Sequence, residues 1–481
     1  MSKRGGKLEH HQVAATRSVE SLPGPPGLPV FGNIGRLDAM RFHSTLEQWA
    51  REYGPIYKLR LMNQIFVATA RREDISYILH ERPGLWRRVE RASTILQEVG
   101  VRGLFTSEGE DWRRQRKLVM HALTPEVIHR FYPTLVAMTE RLHRRWTAAV
   151  DASRQPAMLR DLKAYALDVT VGLAMGEDLN SLENESNPLQ RDIEFLFNRV
   201  ARRLTSPIEY WRSFKLPVDR KTDAAVARVQ AAAESFVRRA RMRLDASPGL
   251  REKPSNMLEA MVAERDLPDS GMTDEDLVGN AVVMVFAGED TTSNTIAWLL
   301  HLLCGAPPAL ARLTAETDTV LGPNVVLRDH GQLDQLPWLD LCTRESMRLK
   351  PVAPMLGFEP IQDLVLGDVF LPAGMVVFPL MRYAFTLDTK LERPSEFLPE
   401  RWLAAQGEAL DDPARKLLPF GAGPRFCPGR YLAMTEIRLV VSMLARSFSL
   451  SPLPGAAPVE EVFTFTMTPS ALPVLLQRRT L

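Results

Sequence analysis

The chain has 481 residues with 60 Lys and Arg against 58 Asp and Glu, a formal charge of +2, so it lacks the basic excess that nucleic-acid binding calls for. A hydrophobic fraction of 45% with 25% charged residues describes a soluble globular protein, long enough for one large domain or two to three ordinary ones. Its three cysteines, Cys304, Cys342 and Cys427, lie far apart with no CxxC spacing; this excludes a disulfide framework and points to a reducing compartment, the cytoplasm.

Residues 1–20, MSKRGGKLEHHQVAATRSVE, carry basic residues but no apolar core. They read as a disordered tail, neither signal peptide nor span. The longest apolar stretch, AVVMVFAG from Ala281 to Gly288, is well short of the ~18 residues a membrane span needs, so no transmembrane anchor is expected. The folded domain is assigned to 21–481.

SLPGPPGLPVFGN (21–33) reads as a semi-rigid extended segment joining tail to fold. PIYKLRL (55–61) and QIFVATA (64–70), separated by Met62 and Asn63, predict a hairpin. From about 108 to 350 helical periodicity dominates, and LVLGDVFLPAGMVVFPL (364–380) reads as strands around a Pro–Ala–Gly turn. No repeat or linker divides the chain. The fold class is mainly α with a smaller β portion, in one domain.

In DWRRQRK, Trp112 and Arg116 stand at i and i+4 on one helical face. That pattern fits a solvated basic face, or an indole N–H and a guanidinium donating to one anion. The segment 273–305 predicts a long helix opened by Thr273 and Asp276 as a capping box. Its apolar run is interrupted by Glu289, Asp290, Thr291 and Thr292. These form either a solvated stripe or a buried acid beside a hydroxyl, suited to moving protons. Gly288 lowers local helix propensity by ~1 kcal/mol, and Thr291 is placed to bond back to the Ala287 carbonyl. Glu345 and Arg348 are i and i+3 on a helix ending before Pro351. They form a surface pair or, with Arg401 of EFLPERW, a buried network.

PFGAGPRFCPGR (419–430) sets Cys427 among Gly421, Gly423 and Gly429, with Phe420 upstream and Arg425 two residues before it. A lone cysteine is commonly an inert buried side chain. Nucleophilic use requires a histidine nearby, and zinc requires more ligands than three scattered cysteines supply. A single thiolate on one large iron cofactor needs only Cys427, backbone N–H groups turned to the sulfur and a cation for the cofactor's acid groups.

Together FGAGPRFCPG, ESMR, PERW, AGEDTT and WRRQR resemble the signature set of the cytochrome P-450 family, the haem-thiolate monooxygenases. They stand in the family's order, across about residues 22 to 478. The family's cysteine-ligated haem is a known property. The resemblance implies haem b (iron protoporphyrin IX) between a long distal helix and a proximal cysteine loop, with Cys427 as axial iron ligand and Phe420 shielding its sulfur. It gives Arg425, Trp112 and Arg116 to the propionates, Thr291 and Asp290 to distal protons, and Ala287 and Gly288 to an oxygen groove. Glu345, Arg348 and Arg401 become a structural network.

The resemblance further implies O2 activation with NAD(P)H electrons from a separate ferredoxin or flavodoxin and its reductase, since the chain carries no flavin or iron–sulfur module. Arg113, Arg114, Lys117 and Arg430 then offer a basic docking face. The protein is expected to be a monomer that hydroxylates or epoxidises a medium-sized hydrophobic molecule. Its pocket would be lined from 93–105, 193–200, 284–286, 352–357 and 463–467. The alternatives are a peroxide-using fatty-acid hydroxylase and a haem-binding sensor without turnover. Two departures stand out: Phe358 and Glu359 occupy the neighbourhood of a frequent propionate-binding arginine or histidine, and FTLDTKLERP lacks a common histidine–arginine pair.

Overall fold

A computed structural model describes residues 17–184, 187–268, 270–386, 391–403 and 417–480. Its axis is the 31-residue helix Asp274–Cys304. The Thr273 hydroxyl accepts from the Asp276 N–H (3.1 Å) and the Asp276 carboxylate accepts from the Thr273 N–H (2.9 Å), so the capping box forms as the sequence predicts. This central helix is buried on most sides. It packs against Met158–Met175, whose stretch Ala164–Met175 is entirely buried, and against Pro217–Ala246, Pro337–Leu349 and Arg430–Ser447.

Helix Arg430–Ser447, which starts three residues after Cys427, lies beyond the stretch 108–350 in which the sequence shows dominant helical periodicity. Its signal was present in the apolar spacing of Leu432, Ile437, Val440 and Leu444, which all face the core.

The β portion is a five-stranded sheet ordered Ile56–Leu61, Gln64–Thr69, Val377–Pro379, Phe358–Pro360, Trp86–Arg88. Its first two strands are the predicted hairpin. Residues 364–380 form three short strands, with the turn glycine Gly374 at φ 77°.

Two expectations about the N-terminus change. Residues 17–20 of the assigned tail are ordered: Arg17 bridges to Val369 and its guanidinium grips Asp368 at 2.7 and 3.0 Å. Residues 1–16 lie outside the described part. The proline-rich stretch is docked on the sheet, because the Lys58 N–H donates to the Pro23 carbonyl (2.9 Å) and Asn33, buried, donates to the carbonyls of Pro25 and Pro26. No single helix among the described residues is long and apolar enough to cross a membrane.

Candidate active site

Cys427 sits where the loop 419–429 meets the start of helix Arg430–Ser447. Gly421 and Gly423 hold φ of 72° and 65°, conformations that cost a side-chain-bearing residue strain. A Cβ on Gly423 would also fall 2.4 Å from the Leu79 carbonyl oxygen, so the loop turns hard against helix Arg72–His80. The Cys427 N–H donates to the Phe420 carbonyl (2.8 Å), closing the loop. Burial pushes the Cys427 thiol up, opposed by the Gly429 N–H, the Arg116 charge and the Arg430 N–H. N–H groups at a helix start and a nearby cation are what a thiolate needs. By contrast, burial pushes Cys304 up to about 12, and Cys342 is likewise raised; those two are core side chains.

Beside the loop lies a cluster of buried positive charge. Arg425 reaches the Ser107 carbonyl (2.6 Å) and the Glu108 carboxylate, and its guanidinium stacks 4.7 Å from the centre of the Trp112 ring. Arg116 donates to the Phe426 carbonyl (2.7 Å) and lies 4.6 Å over the Phe426 ring, bracing the residue before the cysteine. Trp112 and Arg116 are thus buried together on one helix face.

Two arginines that the sequence reading missed complete the cluster. Arg82 stacks 4.4 Å over the Phe358 ring with Glu108 at 3.6 Å. Arg88 lies opposite Phe358 in the sheet, its guanidinium 3.9 Å over the Phe105 ring. They stand where Phe358 replaces a cation, while Glu359 is turned to Arg87 (2.7 Å). Burial first, then the neighbouring arginines, pushes Arg82 down to about 8; burial and Arg425 push Arg88 down to about 10. The buried Nε atoms of Arg82, Arg88 and Arg425, and Nη2 of Arg82, have no hydrogen-bond partner.

On the opposite side, Ala287 is exposed in the middle of the otherwise buried central helix, and Thr291 next to it is half-buried. The Thr291 hydroxyl donates to the Ala287 carbonyl (2.8 Å) as the spacing predicts, but the helix runs unbroken. Glu289, Asp290 and Thr292 are buried at 1%, 2% and 4% exposure, which rules out a solvated stripe.

Gly288 departs from its expected place in a groove. A Cβ there would lie 2.0 Å from the Thr170 hydroxyl, so its missing side chain serves close contact between two helices. Asp290 accepts from Asn294 (3.0 Å) and Thr466 (2.5 Å), with Lys163 at 3.5 Å. Burial works against the Lys163 charge, yet Asp290, Glu289 and Glu194 outweigh it and raise its pKa. Burial pushes the Glu289 carboxyl well up, opposed by the Lys163 charge. Neither Lys163 nor Thr466 has a local sequence signal; both arrive from other elements.

The expected structural network is present, with Glu345 and Arg348 fully buried and Arg401 partly so. Arg348 donates to both Glu345 oxygens (2.9 and 2.8 Å), and Arg401 donates to Oε1 (2.9 Å). The Trp402 indole (3.0 Å) and the Leu398 N–H (3.1 Å), not foreseen, also donate to this carboxylate. Part of FTLDTKLERP, residues 387–390, lies outside the described residues. On the loop side, Arg113 and Arg114 are paired within their helix to Glu110 and Asp111, which leaves Lys117 and exposed Arg430 and a less basic face than the sequence reading expected.

The family model described as Cytochrome P-450 matches residues 22–476. The chain belongs to the cytochrome P-450 family. It is 30% identical to the mitochondrial 25-hydroxyvitamin D-1 alpha hydroxylase of Homo sapiens, over 94% of this chain and 91% of that protein. It is 27% identical to cytochrome P-450 4d2 of Drosophila melanogaster, over 90% and 89%. It is also 26% identical to a self-sufficient cytochrome P-450 monooxygenase of Aspergillus niger, over 91% of this chain and 41% of that protein. As a cytochrome P-450 it is an oxidoreductase that incorporates molecular oxygen, with a cysteine-ligated haem.

The residues of this cytochrome P-450 fit that group. Four buried guanidiniums converge with Glu108 as their one carboxylate partner among the described residues. Isolated buried cations are costly, and the two propionates of a haem would supply the anions that the unpartnered N–H groups of Arg82, Arg88 and Arg425 need.

Proposed function

We propose that this cytochrome P-450 hydroxylates or epoxidises a medium-sized apolar molecule, with electrons from a separate ferredoxin or flavodoxin and its reductase, as a cytoplasmic monomer. The observation that carries the substrate class is a cluster of four phenylalanines from four separate elements. Phe197 lies 4.9 Å from Phe286 and 5.4 Å from Phe465, and Phe105 lies 5.8 Å from Phe465. Phe286 directly precedes exposed Ala287 on the central helix. The surface presented there is apolar and aromatic, and it selects by shape and dispersion rather than by charge. Arg102 and Arg199, the cations of the 93–105 and 193–200 segments that could meet a carboxylate, are engaged by Glu275 and Asp219, which disfavours a fatty-acid head group.

The chain's own residues divide the work. Cys427 ligates the iron, Phe420 covers the sulfur, and Trp112, Arg116 and Arg425, joined by Arg82 and Arg88, hold the propionates. When bound, the haem supplies the oxygen activation and C–H chemistry. The Thr291 hydroxyl, beside Ala287, is the distal proton donor, and Asp290 is the acid that resupplies it.

The test is the absorbance spectrum of the dithionite-reduced protein with and without carbon monoxide, for wild type and Cys427→Ser. A strongly red-shifted Soret band in wild type that vanishes in the variant supports the ligand assignment; a band unchanged by the substitution overturns it. A panel of neutral aromatic and terpenoid compounds scored by spin-state shift then tests the substrate class, and a response confined to fatty acids would reject it.

A further inference from the structure

The chain's last tight hairpin, Glu461–Phe463 paired with Met467–Pro469, is fixed at its base. Glu461 accepts from His43 (2.9 Å) and Arg382 (2.6 Å) and pairs with Lys350. The Met467 N–H donates to the Val352 carbonyl (2.8 Å), and the Trp298 indole donates to the Met467 carbonyl (2.9 Å). Only Thr464, Phe465 and Thr466 remain to form the tip, closed by the Thr464 N–H on the Thr466 carbonyl (3.0 Å).

Two consecutive tip residues face different sites. Phe465, partly buried, is the member of the phenylalanine cluster that touches both Phe105 and Phe197. Thr466, 3% exposed, donates to Asp290 Oδ2. Asn294 ties the two sides together, donating to Asp290 Oδ1 (3.0 Å) and to Thr466 (2.9 Å) while accepting from Thr468 (2.7 Å). Asp290 Oδ2 is therefore held by the hairpin, with Oδ1 taken by Asn294 and, at 3.5 Å, Lys163, while the Thr291 hydroxyl spends its proton on the Ala287 carbonyl.

We infer that Thr466 is a positioning residue for Asp290, and that Phe465 makes this hold responsive to the substrate: a ligand that displaces Phe465 draws Thr466 off Asp290 and frees its Oδ2 to serve Thr291, while Asn294 and Lys163 keep Oδ1. In a three-residue tip with both ends fixed, one residue cannot shift without its neighbour. The acid is thereby released when the aromatic cluster is occupied and restrained when it is not. This rests on the reading of Asp290 as the distal acid.

The test uses infrared difference spectra of haem-loaded wild type, Thr466→Val and Phe465→Ala, with the Asp290 carboxylate band assigned by its loss in Asp290→Asn. Clotrimazole serves as a bulky apolar probe and imidazole as a small one, with binding followed by the Soret shift. In wild type, clotrimazole shifts the Asp290 band and imidazole does not. In Thr466→Val the band already stands at the shifted position without a probe. In Phe465→Ala it keeps the resting position and ignores clotrimazole, although the Soret band still shifts. A Thr466→Val band at the wild-type position, or a wild-type band indifferent to clotrimazole, overturns the proposal. Wild-type turnover in Asp290→Asn would instead reject Asp290 as the acid while leaving the infrared result standing.

Discussion

The Arg82 guanidinium lies 4.4 Å above the ring of Phe358, the residue that stands where the sequence pattern lacks a cation. A cation missing from one strand is thus supplied beside it by Arg82, from the segment before the neighbouring strand.

Because Arg82 is a buried cation whose Nε has no hydrogen-bond partner and whose Nη2 has only Glu108, at 3.6 Å, Arg82→Leu is expected to act in opposite directions on the two forms of the protein. Haem affinity should fall about 10- to 100-fold, the worth of one or two hydrogen bonds to a charged group. The haem-free protein should be unchanged or more stable by ~1–4 kcal/mol, since a buried charge held only by a long contact to Glu108 has been replaced by an apolar side chain. Haem titration and thermal unfolding of the apoprotein measure the two effects.

Glu345 accepts five hydrogen bonds and is fully buried. Glu345→Gln keeps the shape but removes the charge opposite Arg348. A loss of about 3–5 kcal/mol is expected in urea unfolding, the cost of a buried charge left without its partner.

At Gly288 the added methyl of Gly288→Ala would meet Thr170 at 2.0 Å, so about 1–3 kcal/mol of destabilisation follows from overpacking. Thr170→Ala in the same chain should recover part of it. The Thr170 hydroxyl has no hydrogen-bond partner to lose, while its Cβ remains at 2.8 Å from the new atom. A double-mutant cycle measures the recovery.

Glu436 is fully buried, one of its oxygens lacks a hydrogen-bond partner, and burial raises its pKa well above the ordinary 4.5. A carboxyl kept neutral in the fold costs no stability below about pH 4.5, where both states are protonated. As pH rises from there toward the raised folded value, only the unfolded state releases the proton, and stability falls by about 1.4 kcal/mol per unit. Glu436→Gln should therefore match wild type in acid and exceed it at pH 8, as read from urea midpoints at both pH values. A gain equal at both would reject the charge argument.

The functional core of the site was written locally. Cys427 with its glycines needs only its own loop and the two N–H groups that follow it. The capping box at Thr273, the Thr291 bond to Ala287 and the Trp112–Arg116 face are interactions within one helix. Each spans a few residues, so type and spacing suffice to read them. Gly288 shows the limit of that reading, because its reason is Thr170, on another helix.

Motif order thus determined the family, and hydrophobic periodicity the mainly helical architecture, by themselves. Tertiary structure alone decided that Arg82 and Arg88 join the buried cluster around Arg425, that Lys163 and Thr466 hold Asp290, and that four phenylalanines meet. These groups come from segments as far as 360 residues apart, as Phe105 and Phe465 show. The energy of a buried charge or an aromatic contact depends on what surrounds it in space, and no spacing along the chain carries that information.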